Sequence, residues 1–158
     1  MPVTPFHVGP GLLLKSAAPR ALSATAFAAA NVAVDIESVA NILAGRYPVH
    51  AILHTLPAAA AVGLVAGLAV AAIGRTLRRP ASPEWALRPA LLGGLLGGAS
   101  HPLLDGLMHR DIRPFLPLTT SNPLLGAVPL DTLHLLCTVA GVAGLAVLGW
   151  RSRRAPAG

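Results

Sequence analysis

The feature that most constrains this chain is an apolar segment from Thr55 to Gly74, which contains no charged residue and runs into the basic sequence RTLRRP. About 20 apolar residues in a helix are enough to cross the hydrocarbon core of a bilayer. The composition agrees, because hydrophobic residues make up 54% of the chain and charged residues only 11%. The sequence therefore predicts an integral membrane protein.

Four long apolar runs and one short run organise the chain. The short run, 9–14, is too short to span a bilayer alone. The long runs cover approximately 21–44, 51–74, 85–108 and 130–150. We therefore predict an all-α fold, an integral membrane bundle of about four transmembrane helices plus a short N-terminal half-helix. Residues 1–150 form a single helical membrane domain in this prediction, and 151–158 form a basic, disordered tail.

The basic residues are distributed unevenly between the two ends of the predicted helices. If the four long runs alternate in direction, nearly all of the twelve Lys and Arg residues lie on one side of the membrane, and only Arg46, Arg110 and Arg113 lie on the other. The positive-inside rule makes the richer side cytoplasmic. We therefore expect a multi-pass membrane protein with a cytoplasmic C-terminal tail. The formal charge of +6 reflects this topology and does not indicate a nucleic-acid partner.

The same topology places every His and every acid except Glu84 in the non-cytoplasmic half. An ionisable group near lipid costs about 2.5 to 3.5 kcal/mol on insertion scales, so it persists mainly with partners or water. The convergence therefore predicts a shared polar cavity at that end of the bundle. The residues concerned are His7, Asp35, Glu37, His50, His54, His101, Asp105, His109, Asp111, Asp131 and His134.

Three pairs within this set have spacings that place both side chains on one face of a helix. Imidazole nitrogen and carboxylate oxygen, without Cys, are typical ligands of a catalytic or labile zinc, iron or manganese ion. The number of carboxylates allows one or two such ions. The pairs are His50 with His54, His101 with Asp105, and Asp131 with His134.

The acidic pair in the second run can contribute only one ligand on a straight helix, because Asp35 and Glu37 point about 200° apart. We expect Asp35 to enter the site, and Glu37 either to orient a ligand from outside it or to face interfacial water. A carboxylate that holds no metal, Glu37 or Asp131, is a candidate general base.

The segment after the fourth run holds further candidates. His109 and Asp111, together with His134 of the last run, are possible additional ligands, although 109–111 can equally be a solvated loop. Arg110 and Arg113 can hold an anionic group of a substrate, since guanidinium matches phosphate and carboxylate geometry.

The sequences TPFHVGPGLLL, VDIE, HAILHT and SHPLLDGLMHRD resemble a family of small bacterial inner-membrane proteins, the LexA-binding, inner-membrane-associated, metal-dependent hydrolases. The resemblance extends from His7 to about His134. It implies a fold similar to the helical zinc-dependent phospholipase C and P1 nuclease group. The metal-site positions it implies are His7, Asp35, His50 or His54, His101 and Asp105.

These observations predict a membrane-embedded, metal-dependent hydrolase of a phosphoester or ester bond, with a lipid-like compound as the candidate substrate. Its cofactor would be a divalent metal, with zinc favoured over iron or manganese. Its expected partner is membrane lipid. Two non-enzymatic alternatives remain, an ion or proton relay and a structural or partner-binding membrane protein. The inner halves of the third and last runs are apolar, which disfavours a relay. The sequence leaves the oligomeric state open.

Overall fold

The computed structural model of the chain describes residues 4–79 and 82–154. Within these ranges all of the regular secondary structure is helical, which confirms the predicted fold class. The elements are α1 (Thr4–Ala17), α2 (Ala24–Leu43), a 3-10 turn (Ile52–His54), α3 (Leu56–Thr76), α4 (Leu87–Gly106) and α5 (Leu130–Arg154). Since α5 continues to Arg154, the first four residues of the predicted tail are helical, and 155–158 lie outside the described residues.

Three of the helices, α2, α3 and α5, are long and apolar enough to cross a membrane. Helix α1 has 14 residues, or about 21 Å, which is shorter than a hydrocarbon core of about 30 Å and agrees with a half-helix. Helix α4 has 20 residues, but its glycines, His101 and Asp105 lower its apolar character. The chain is therefore a helical membrane bundle. Helix α4, which was expected to be a fourth span, is as long as α2 but less apolar than α2, α3 and α5.

Hydroxyl side chains fix where two of the helices begin. Ser23 accepts a hydrogen bond from the backbone N–H of Ala26 at the start of α2, and Thr55 accepts one from Ala58 at the start of α3. Because α3 begins only after Thr55, His50 lies in a bend and His54 in the 3-10 turn. The prediction that these two histidines share a helical face is therefore wrong.

Helices α3 and α4 pack with their backbones in direct contact. A Cβ atom on Gly94 would overlap the carbonyl oxygen of Gly63, and one on Gly98 would overlap that of Ala59. Small residues permit this approach between helices where lipid supplies no hydrophobic driving force. Helix α2 packs on the same pair, whereas α5 contacts the bundle mainly through α1. The last turns of α4 are thereby held against the start of α3.

The basic end of the bundle is tied together by polar contacts. The Lys15 ammonium at the end of α1 forms an ion pair with Glu84 and donates a hydrogen bond to the carbonyl of Leu22 at 2.8 Å. Arg151 of α5 donates to the carbonyl of Ser16 at 2.8 Å. Burial disfavours the charged form of Glu84, but the hydrogen bonds from Lys15 and Thr25 and the positive charge of Lys15 together outweigh it and lower the pKa of Glu84. The ion pair with Lys15 explains why Glu84, unlike the other acids, lies at the basic end of the bundle.

We expect Gly94→Ala to lower the free energy of unfolding by about 1–3 kcal/mol, because the added methyl group must push α3 away from α4. The matched control is Gly149→Ala in α5, where an added Cβ would meet no atom within 4 Å. Helix propensity makes that change stabilising by up to about 1 kcal/mol. Thermal unfolding followed by circular dichroism in detergent measures both, and equal midpoints would contradict the close packing.

Candidate metal centre

The ends of four elements bring five buried ionisable side chains together. We call this set the His/Asp cluster. It takes one residue from each of α1, α2 and the 3-10 turn, and two from α4. Its members are His7, Asp35, His54, His101 and Asp105, all at most 6% exposed. The convergence expected from the distribution of Lys and Arg is therefore present as a physical cluster.

Four members of the cluster have the geometry of a metal site. His101 Nε2 lies 3.2 Å from Asp35 Oδ1 and 3.3 Å from Asp105 Oδ2. His54 Nε2 lies 3.9 Å and 3.8 Å from the same two oxygens. One ligand atom from each of the four lies within 4.8 Å of all the others. Ligands around one zinc ion are about 3–4 Å apart, so this first group needs little adjustment to enclose an ion.

His7, the fifth member of the cluster, contacts the other four through Asp105 and His101. Its Nε2 lies 3.0 Å from Asp105 Oδ1, and its ring stacks on that of His101 with the centroids 4.4 Å apart. The ring is outside the four-residue group, although the resemblance places it among the metal-site positions. Asp105 therefore contacts side chains from α1, the 3-10 turn and its own helix.

Asn31 fixes the orientation and the tautomer of His101, a role that the sequence analysis missed. Its amide Nδ2 donates to the carbonyl oxygen of Phe27 at 2.9 Å, which turns Oδ1 toward His101 Nδ1 at 3.0 Å. Because Oδ1 only accepts, Nδ1 of His101 must carry a proton. In a neutral ring, Nε2 then presents its lone pair between Asp35 and Asp105. Asn31 precedes Asp35 by four residues, so its position on the same helical face was a usable signal.

Several polar atoms at this end of the bundle are buried without a hydrogen bond, which is unusual in folded proteins. Within the described ranges they include both oxygens of Asp105, Nε2 of His101 and Nδ1 of His54. Burial, followed by the neighbouring His101 and His50, lowers the pKa of His54 to about 3, against the opposite effect of Asp105 and Asp35. A neutral imidazole beside buried carboxylate oxygens is the donor set that a divalent cation requires. The residues present therefore fit a metal ion.

A second group lies beside the first and shares one carboxylate with it. Ligand atoms of His50, Asp105 and His109 lie within 4.8 Å of one another. The rings of His50 and His109 stack, with their centroids 4.3 Å apart. Outside this group, Asp111 holds His50 through a contact of 2.9 Å between Oδ1 and Nδ1. Both His50 and His54 thus lie at the site, in different groups.

Glu37 points away from the cluster and binds the loop that carries His54. Its carboxylate accepts hydrogen bonds from the backbone N–H groups of Ala51, Ile52 and Leu53 at 2.8–3.2 Å. One of its oxygens also lies 3.6 Å from His54 Nδ1. Asp35 enters the cluster instead, as the helical periodicity of α2 requires. The arrangement gives Glu37 the means to set the position of His54.

The remaining candidates lie around this centre. Asp131 is exposed on α5, and His134 stacks on Phe6 with the ring centroids 4.3 Å apart. Neither belongs to either group of metal-binding geometry within the described residues. Arg110 and Arg113 are exposed, and each lines a cavity that also reaches His50.

The fold and the cluster together define a helical membrane protein with a buried His/Asp centre at one end. A family model described as YdjM inner membrane protein matches residues 4–157. The chain therefore belongs to the YdjM inner membrane protein family. No curated protein and no solved structure matches it significantly.

Replacing Glu37 with Ala is expected to loosen the 3-10 turn, because three backbone N–H groups lose a charged acceptor. Amide hydrogen exchange at residues 51–53 should become at least about tenfold faster, equivalent to about 1.4 kcal/mol. Ile36→Ala is the control, since that neighbouring side chain is 62% exposed. Unchanged exchange in Glu37→Ala would show that the turn is held by other contacts.

Proposed function

We propose that this protein is a membrane-embedded, metal-dependent hydrolase that cleaves an ester or phosphoester bond in a lipid-like substrate. The observation that carries the proposal is the position of His101 Nε2, aimed between two buried carboxylates by the hydrogen bond from Nδ1 to Asn31. That arrangement supports a metal site in which a partner outside the ligand set, Asn31, orients one of the ligands.

The residues of the first group would hold the ion. Four donors of the imidazole and carboxylate type suit the tetrahedral coordination of zinc. A divalent metal there supplies Lewis-acid activation of water and of a phosphoryl or acyl oxygen. Asn31 keeps His101 in its metal-binding tautomer, and His7 is placed to donate a hydrogen bond to Asp105. The low exposure of the group excludes bulk water from the donor atoms.

Of the two candidate bases, Glu37 fits better as a positioning residue for His54. Its oxygens already accept three backbone hydrogen bonds, so taking a proton from water would weaken the loop that carries His54. Asp131 is exposed at the start of α5, a helix that contacts the bundle mainly through α1. The proposal therefore assigns neither of them the proton transfer.

Two cavities at the mouth of the site support an anionic, amphiphilic substrate. One, of about 370 Å³, is lined by Arg110, His50 and the apolar side chains of Ile42 and Tyr47. The other, of about 220 Å³, is lined by Arg113, by Asp111 and by the apolar side chains of Pro48, Ile52 and Leu116. Each combines one guanidinium with apolar surface, which suits a charged headgroup beside an acyl chain.

A third opening faces the apolar surface of α2. It measures about 420 Å³ and is lined by Asp35 together with Val32, Ile36, Val39 and Leu43. Since α2 is apolar enough to span a membrane, acyl chains would cover this face in a bilayer. The opening gives a lipid a lateral route to a carboxylate of the first group. We accordingly propose that the basic end of the bundle is cytoplasmic and that the site opens at the opposite side of the inner membrane.

The first test is the metal content of detergent-purified protein, measured by elemental mass spectrometry. We expect stoichiometric metal in the wild type and loss of the metal of the first group in His101→Ala and Asp105→Ala. Asn31→Leu leaves every ligand in place, and we expect it to weaken metal affinity by about 10–100-fold. His134→Ala, outside both groups, should retain the wild-type metal content.

A different result would separate the metal site from its main alternative. His101 can also occupy its position as an imidazolium paired with Asp35 and Asp105. In that case folded wild-type protein would hold no metal after loading with zinc, iron or manganese. That outcome would overturn the hydrolase proposal. Metal that binds without any hydrolysis would favour a structural or partner-binding role.

We expect metal-dependent turnover of an anionic phospholipid to exceed turnover of a soluble phosphoester such as p-nitrophenyl phosphate. Arg110→Gln and Arg113→Gln should raise KM for the lipid about tenfold, equivalent to about 1.4 kcal/mol, with kcat nearly unchanged. Arg154→Gln, at the basic end, is the charge-matched control. Equal turnover of the soluble ester, with no response to the two substitutions, would contradict a lipid-like substrate.

A further inference from the structure

We propose that His50 and His109, together with Asp105 as a shared carboxylate, form a second metal site beside the first group. The inference rests on the proposed function, because Asp105 would serve both ions. It deepens that function by making the centre binuclear, with one enclosed ion and one ion near the opening.

The first step of the argument is the orientation of His50 by Asp111. Oδ2 of Asp111 accepts the backbone N–H groups of Val49 at 2.9 Å and His50 at 3.0 Å, and Oδ1 lies 2.9 Å from His50 Nδ1. Because Oδ2 already accepts two backbone N–H groups, the Asp111 carboxylate acts as an acceptor here, and an ionised carboxylate has acceptor positions only. Nδ1 of His50 therefore carries the proton, and Nε2 carries a lone pair in a neutral ring.

That lone pair is buried and has no hydrogen-bond partner among the described residues. His50 is only 5% exposed, and its Nε2 is inaccessible to solvent. Nε2 of His109 is likewise buried without a hydrogen bond within the same ranges. The rings of His50 and His109 stack with their centroids 4.3 Å apart. Two imidazoles are thus held close together beside a carboxylate.

A metal ion accounts for this arrangement better than a proton does. Ligand atoms of His50, His109 and Asp105 lie within 4.8 Å of one another, so three electron-rich atoms face one point. A proton bridges two such atoms, whereas a metal ion can bind all three and remove the repulsion between their lone pairs. The hydrogen bond from His50 to Asp111 has the form common to metal-bound histidines.

Asp105 has the capacity to serve both groups. The side chain is fully buried, and imidazole nitrogens approach both of its oxygens: His7 Nε2 lies 3.0 Å from Oδ1, and His101 Nε2 lies 3.3 Å from Oδ2. An ionised carboxylate offers about four lone-pair positions. Oδ2 faces His54 and His101 in the first group, which leaves acceptor capacity for the second. A shared carboxylate of this kind is a common element of two-metal hydrolytic sites.

The two sites differ in their access to solvent. His109 is half-buried, whereas the four residues of the first group are at most 6% exposed, and His109 and His50 line the cavity of about 370 Å³ that also contains Arg110. A substrate anion held by Arg110 would therefore meet the second site first. The difference also predicts that a chelator removes the ion of the second site before that of the first.

The experiment measures metal stoichiometry and Mn²⁺ electron paramagnetic resonance on full-length protein in detergent. We expect two ions per chain in the wild type and one in His109→Gln. The wild type should give the spectrum of a spin-coupled Mn²⁺ pair. The variant should give the six-line signal of an isolated Mn²⁺ ion. His134→Gln is the matched control and should keep two ions. Should His109→Gln fail to fold, the coupled wild-type spectrum carries the test alone.

Each outcome separates this inference from the proposed function. One ion in the wild type, or two uncoupled ions that both persist in His109→Gln, would overturn the second site and leave the first intact. No ion in the wild type would overturn both proposals. Two coupled ions without hydrolysis of any ester would support the second site and overturn the hydrolase.

Discussion

The buried carboxylate of Asp105 is the constraint on which the arrangement of the helices depends. It is fully enclosed in an apolar bundle, where an uncompensated charge is costly, so the residues that face it must come from neighbouring elements. His7 of α1 and His54 of the 3-10 turn both approach it, beside His101 of its own helix. The non-basic ends of the helices therefore cannot be placed independently of one another.

Close packing of α3 on α4 makes that arrangement possible. Gly98, about one turn before His101 in α4, lies against Ala59 near the start of α3. This approach places the rings of His54 and His101 with their centroids 5.2 Å apart, although one belongs to a loop and the other to a helix. Larger residues at the contact would separate the helices and with them the two imidazoles. The small residues of the membrane segments thus serve the geometry of the site as well as packing in lipid.

The sequence predicted the helices and the convergence of ionisable residues, because both depend on patterns of apolar and basic residues. It also selected Asp35 over Glu37, since a helical period separates them. The conformation around His50 could not be predicted, because it depends on long-range bonds from Glu37 and Asp111 to the same loop. The spacing of Asp131 and His134 indicated a pair, but spacing within α5 carries no information about which helix α5 packs against.

The peripheral position of α5 has a consequence for how this family can diversify. Because α5 contacts the rest of the bundle mainly through α1, the ionisable centre is assembled entirely from the preceding residues. Its many exposed Leu and Val side chains face whatever surrounds the protein. Substitutions on that outer surface can change the surroundings of α5 while the contacts within the His/Asp cluster stay the same, because no member of the cluster lies on α5.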